Sequence, residues 1–107
     1  MTPMNPQFGN MMKQAQDLQK RMAKVQEDLR TRVVEGSAGG GMVTAQVSGK
    51  IELVALNIDR EVVDPDDVDM LQDLIIAAVS QATQKAQELA QSEMAKVTGG
   101  LGLPGLF

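Results

Sequence analysis

VVEGSAGGGMVTAQVSGKIELVALNI, residues 33–58, is the stretch whose reading decides the fold. Apolar and polar residues alternate along it with a period of two, β-branched side chains are frequent, and glycines fall at the joints, which is the pattern of short strands. Three strands follow, Val33 to Ala38, Met42 to Ser48 and Ile51 to Ile58. Gly39-Gly40-Gly41 and Ser48-Gly49-Lys50 make connections short enough to force an antiparallel meander. On the second strand Val43, Ala45 and Val47 share a face, and on the third Val54, Leu56 and Ile58 do; both faces are expected to point into the core. Such a sheet keeps two open edges, and an unpaired edge invites another chain. A dimer is therefore expected.

On the N-terminal side of this stretch the period changes. Met11, Ala15, Leu18, Met22, Val25 and Leu29 recur at alternating four- and three-residue steps, which predicts a helix from about Asn10 to Thr31 with a narrow heptad seam. A seam of two residues per heptad suits pairing with one other helix and leaves most of the circumference wet, so the helix is expected to form part of a thin arm. An ordinary amphipathic helix lying on the sheet is the alternative. On the C-terminal side Val68, Leu71, Ile75, Ala78, Ala82, Ala86 and Leu89 keep helical spacing to about Lys96. Asp64 reads as the N-cap, Pro65 as the first helical residue, and Asp66 and Asp67 as carboxylates favoured at the positive end of the helix dipole. The reading is a single α+β domain over residues 1–107, ordered α-β-β-β-α, with two long helices forming an arm and with residues 1–9 and 98–107 as irregular tails.

Composition narrows the function. A chain of 107 residues buries only roughly two-thirds of the surface its unfolded state exposes, so self-association is an economical source of further burial. Two Phe, no Tyr, no Trp and eight Met suit thin helix contacts rather than a deep ligand cavity. The absence of Cys and His removes disulfides, thiol nucleophiles, imidazole bases and the usual zinc ligands. No enzyme, cofactor or small-molecule substrate is expected. The opening Met1-Thr-Pro-Met-Asn-Pro lacks an apolar segment behind a positive one, and no run approaches membrane-spanning length, so the chain is read as soluble and cytoplasmic, with no membrane partner.

The net charge of −4 argues by itself against nucleic acid, but its distribution is uneven. Residues 11–32 carry six basic side chains against three acids, whereas residues 59–73 carry seven acids against Arg60 alone. The acidic run does not make a calcium loop: an EF-hand counted from Asp64 needs Gly and Glu where Asp69 and Ile75 stand. Helix capping accounts for it, and no metal site is expected. The triple glycine lacks the Gly-Lys-Ser/Thr of a phosphate loop and sits between strands, so it is a turn.

Several of these pieces together resemble a known family. Gly39-Gly40-Gly41-Met42-Val43, Gly49, Leu56-Asn57-Ile58-Asp59, Val63 to Asp67 leading into Met70-Leu71-Gln72-Asp73-Leu74-Ile75, the Met12 to Gln16 opening of the first helix and the Gly/Leu/Pro tail are similar to the YbaB/EbfC pattern, in order and over nearly the whole chain. The resemblance implies an α-β-β-β-α fold and a tweezer-shaped homodimer with helical arms on a shared β body. It also implies a nucleoid-associated protein whose partner is double-stranded DNA. The family pattern fixes scaffold rather than contacts, so the DNA-binding residues rest on charge geometry.

Lys13, Lys20 and Lys24 lie seven and four residues apart, opposite the Met11/Leu18/Val25 seam, with Arg21 flanking and Asp17 interrupting. Cations so spaced can meet backbone phosphates without reading bases. Lys85 and Lys96 share a face of the second helix and extend the strip if the helices pair. The competing reading is a solvated face laced by Lys13–Asp17 and Lys24–Asp28 pairs. A protein-interaction module, with the seam, the acidic run or the apolar tail docking a partner and DNA binding weak or incidental, is the alternative function. The lack of stacking aromatics disfavours single strands.

Overall fold

The computed structural model describes residues 6–99, with side chains from Phe8 to Thr98. The order is α1 (Pro6–Thr31), β1 (Val33–Ala38), β2 (Val43–Ser48), β3 (Leu53–Ile58), a single 3-10 turn (Arg60–Val62) and α2 (Val68–Gly99). The fold is the expected α-β-β-β-α. Residues 6–9 are helical where an irregular start was expected. Pro6 is compatible with this, because its missing N–H is no loss in the first turn of a helix. Thr98 and Gly99 still belong to α2; the rest of the expected irregular tails, residues 1–5 and 100–107, lies outside the described residues.

The sheet is antiparallel in the order β1-β2-β3, with Gly36 opposite Ala45 and Ala45 opposite Leu56. The central strand carries the core: Val43, Ala45 and Val47 are buried, and so are Ala78, Ala82 and Ala86 of α2 that pack over them. Small residues let the helix come close. At Gly36 a Cβ would overlap the Ala78 carbonyl and the Ala82 amide, so the helix and β1 touch backbone to backbone. Arg32 pairs with Glu93, Gly36 lies under Ala78 and Ala82, and Gly39 lies under Leu74; α2 thus runs antiparallel to β1.

The third strand departs from expectation. Ile58 packs against the core, but Leu56 is 37% exposed and Val54 53% exposed. Two causes combine. α2 lies over β1 and β2 and leaves β3 at the uncovered edge. A register shift between Gln46 and Val47 brings Leu53, not Val54, opposite Val47, and such a bulge breaks the simple two-residue alternation. The strand also begins two residues late, because Ile51 takes a left-handed backbone (φ 64°) in the turn after Ser48.

The start of α2 is corrected as well. Asp64 does not cap it: its Oδ1 accepts from the Asp66 N–H at 2.9 Å and its carbonyl from the Asp67 N–H at 3.0 Å, closing a separate turn around Pro65. Asp67 takes the capping role, accepting from the Met70 N–H at 3.2 Å, and the helix opens at Val68. A run of four candidate caps left the choice open to local turn geometry.

Candidate nucleic-acid interface

α1 leaves the body at the foot of β1. Gly49 pins it there, its N–H lying 3.0 Å from the Leu29 carbonyl and 2.9 Å from that of Arg32. Burial along the seam falls with distance from this foot. Leu29 and, on α2, Val97 are buried; Val25, Met22 and Leu18 are half-buried, Ala15 is exposed, and Met11 is 65% exposed. The seam therefore faces α2 only over its inner half, and the outer turns of α1 project as an arm in a molecule 79 Å long and only 24 Å by 17 Å across.

Lys13, Lys20, Arg21 and Lys24 are all exposed on this helix. Among the described residues, salt bridges form at Arg30–Glu27, Arg32–Glu93 and Lys96–Glu93; Lys13–Asp17 and Lys24–Asp28 are not among them. The four cations are thus unneutralised by local pairing. At about 1.5 Å per residue, Lys13 to Lys20 covers ~10 Å and Lys20 to Lys24 ~6 Å along the axis, on the side away from the seam.

The two expected cations of α2 are placed differently. Lys85 lies on the body, where its ammonium donates to the Glu35 carbonyl at 2.9 Å. Lys96 lies at the arm but donates to Glu93 at 3.2 Å. The structure brings together the four α1 residues and leaves Lys85 apart. Two further features escaped the sequence reading. Lys50 is exposed on the β2–β3 turn beside the foot of α1, signalled only by a turn motif. Glu93 joins Arg32 and Lys96, tying the end of α1 to α2 across 61 positions of sequence, a separation no local pattern reveals. The hydrogen bond from Lys96, then the charges and the Arg32 contact, hold the Glu93 carboxyl below its ordinary 4.5 against an opposing push from desolvation.

The acidic segment sits at the other end of the sheet. Asp59 follows β3, its N–H bonding to the Met42 carbonyl at 2.8 Å, and its carboxylate accepts from the Glu61 N–H at 2.9 Å. With Asp64 and Asp67 also turned onto backbone amides, these carboxylates serve turns and a helix start. Among the described residues no three His, Cys, Asp or Glu side chains converge as metal ligands, and no helix is long and apolar enough to cross a membrane. Positive charge is thus concentrated along the arm and negative charge at the far end of the body.

The model of the YbaB/EbfC DNA-binding family matches residues 4–101. The chain belongs to that family. Among its relatives in the YbaB/EbfC family are a nucleoid-associated protein of Caldanaerobacter subterraneus, 56% identical over 94% of this chain and 90% of that protein, and one of Clostridium perfringens, 60% identical over 94% and 89%. The crystal structure of an uncharacterized Helicobacter pylori protein superposes with a TM-score of 0.77 at 22% identity, over 91% of this chain and 100% of that one. That likeness carries the fold alone. Family membership makes DNA binding the activity against which the arm is to be understood.

Proposed function

We propose that the protein works as a homodimer at the nucleoid in the cytoplasm, binding duplex DNA mainly through phosphates, with an architectural or regulatory effect. The observation that carries this reading is the segregation of charge. Lys13, Lys20, Arg21 and Lys24 stand exposed along α1 with no salt bridge among the described residues, while the acids of residues 59–73 are gathered at the opposite end of the body, where Asp59, Asp64 and Asp67 accept from backbone amides. A net charge of −4 then does not prevent an approach in which the arm leads. The cations are long, flexible point charges spaced along one side of the helix, which suits positioning on phosphates.

The dimer rests on the uncovered side of the body. Leu53, Val54 and Leu56 on the edge strand are 37–53% exposed. Exposed apolar side chains on an open edge strand are costly in water, and a second copy that pairs with this edge would cover them. Two arms carried by one body supply two phosphate-binding surfaces, which raises avidity without any new contact.

Fluorescence anisotropy with duplex DNA across a salt series tests the reading. Affinity is expected to fall by roughly 0.9 log units per log unit of salt for each phosphate neutralised. Binding that is absent, or indifferent to salt, overturns it and leaves the protein-interaction role.

A further inference from the structure

β1 is an edge strand, as β3 is, and the pairing shows which of its backbone groups face outward. The Ser48 N–H donates to the Glu52 carbonyl at 2.8 Å, and the Met42 carbonyl accepts from the Asp59 N–H at 2.8 Å, so even-numbered positions along β2 bond toward β3. The odd ones, Val43, Ala45 and Val47, then bond toward β1, where they stand opposite Ala38, Gly36 and Val34. Val33, Glu35 and Ser37 are left with their N–H and C=O groups turned away from the sheet.

Two of these outward groups are taken by α2. The Ser37 N–H donates to Gln81 Oε1 at 2.8 Å, and the Glu35 carbonyl accepts from Lys85 Nζ at 2.9 Å. The helix reaches both because its step matches that of the strand: four helical residues rise ~6 Å and two strand residues ~6.6 Å. Farther along α2, Glu93 meets Arg32, just ahead of β1. β3 has no such cover. Among the described residues no side chain bonds its backbone, and its Leu53, Val54 and Leu56 are exposed.

We infer that Gln81 and Lys85 guard the β1 edge against a second copy of this chain and confine association to the side of β3. The first half stands on the two hydrogen bonds; the second rests on the dimer reading given above. A strand arriving at β1 must bond the Ser37 N–H and the Glu35 carbonyl, which lie in the middle of the outward row, and so must displace both side chains. In a twofold pairing the arriving copy brings its own Lys85, so two ammonium groups meet at the junction. A sheet open at both edges would let a dimer grow into a row of copies, and closing one edge ends growth at two.

Gln81→Ala with Lys85→Ala, in the full-length protein, tests the guard. Both positions are exposed, and alanine is a better helix former than either residue, so α2 is kept. The change also moves the net charge of −4 further from zero, so growth cannot come from weakened repulsion. By light scattering from low to high micromolar concentration, the wild type should hold one mass, while the double variant should grow to roughly twice that mass or more. Gln84→Ala with Gln87→Ala, at exposed positions of the same helix, should keep the wild-type mass. Amide exchange locates the growth: in the double variant the Ser37 amide should lose protection at low concentration and regain it at high, whereas in the wild type its protection should not depend on concentration. A double variant whose mass follows the wild type throughout, or one that grows without regaining protection at Ser37, overturns the guard. A monomeric wild type overturns the dimer reading instead, and the guard is then decided by whether the variant grows where the wild type does not.

Discussion

The body and the arm share one helix, α2, which packs in each under opposite rules. Over the sheet, α2 presents Ala78, Ala82 and Ala86 with no residual exposure, set against Val43, Ala45 and Val47 and close enough to β1 that Gly36 has no room for a Cβ. In the arm the contact is a single seam that thins outward, from Leu29, 5% exposed, to Met11, 65% exposed. A surface sealed backbone to backbone tolerates little change, because any added atom displaces main chain. The arm asks only for an apolar stripe on its inner half, and the rest of its circumference is free to carry charge. Shape is therefore set in the body and chemistry in the arm.

The comparison breaks first where the body is tightest. Gly36→Val places three carbons against the Ala78 carbonyl and the Ala82 amide, with no flexible side chain to yield, and should destabilise the fold by roughly 3 kcal/mol or more, or prevent folding. Urea unfolding at fixed protein concentration measures it, since any linked dimer makes stability concentration-dependent. If Gly36→Val is tolerated, the close contact between α2 and β1 is not what fixes the body.

The arm should respond in the other direction, losing function while keeping its fold. Lys13→Glu, Lys20→Glu and Lys24→Glu together alter exposed positions outside the seam and should leave stability within about 0.5 kcal/mol per site. Duplex affinity should nevertheless fall by roughly a hundredfold or more, with a shallower salt slope. Lys85→Glu sharpens the contrast, because Lys85 is anchored to the Glu35 carbonyl on the body; its effect on DNA affinity should be several times smaller than that of any one of the three. Should Lys85→Glu match the triple reversal, the interface lies on the body and not on the arm.

How far the sequence could be read follows the same division. The period-two stretch from residue 33 to 58 and the heptad seam of α1 are local patterns, and both produced the elements they predict. Val54 and Leu56 misled because alternation tells which residues share a face but not whether a helix covers that face; α2 stops short of β3, and the bulge at Gln46/Val47 shifts the register. The choice of Asp67 over Asp64 as cap depended on a turn around Pro65 that four neighbouring Asp-rich positions do not distinguish. The exposed positions of Lys13, Lys20, Arg21 and Lys24 on α1 were legible from helical spacing alone. The engagement of Lys85 and Lys96, and the role of Glu93 in joining Arg32 to α2, depended on partners distant in sequence or on side-chain geometry.

The seam itself offers a graded test. Leu29→Ala removes a buried side chain packed at the foot of the arm and should cost about 2–3 kcal/mol. Met11→Ala, at an exposed seam position, should cost under about 0.5 kcal/mol in urea unfolding. Equal costs at the two positions would mean that the outer seam is covered by something other than α2.

The smallest expected effect concerns the joint between the two regions. Glu93 accepts from Arg32 at 3.1 Å and from Lys96 at 3.2 Å, so one carboxylate fastens the foot of α1 to α2. Its folded-state value lies below the ordinary 4.5. A group depressed on folding contributes stability that is fully present above the unfolded value and is lost as pH falls through the folded one. The joint should therefore be unaffected at neutral pH and loosen only below about 4.5. Amide exchange around residues 29–32 and 93–97, measured at pH 6 and pH 4 and corrected for the intrinsic rate, should show a modest loss of protection at the lower value. Glu93→Gln should remove that pH-dependent step while Glu27→Gln, whose partner Arg30 is solvent-exposed on the same helix, should leave it in place. A pH step that persists in Glu93→Gln would assign the acid sensitivity of the joint to another carboxylate.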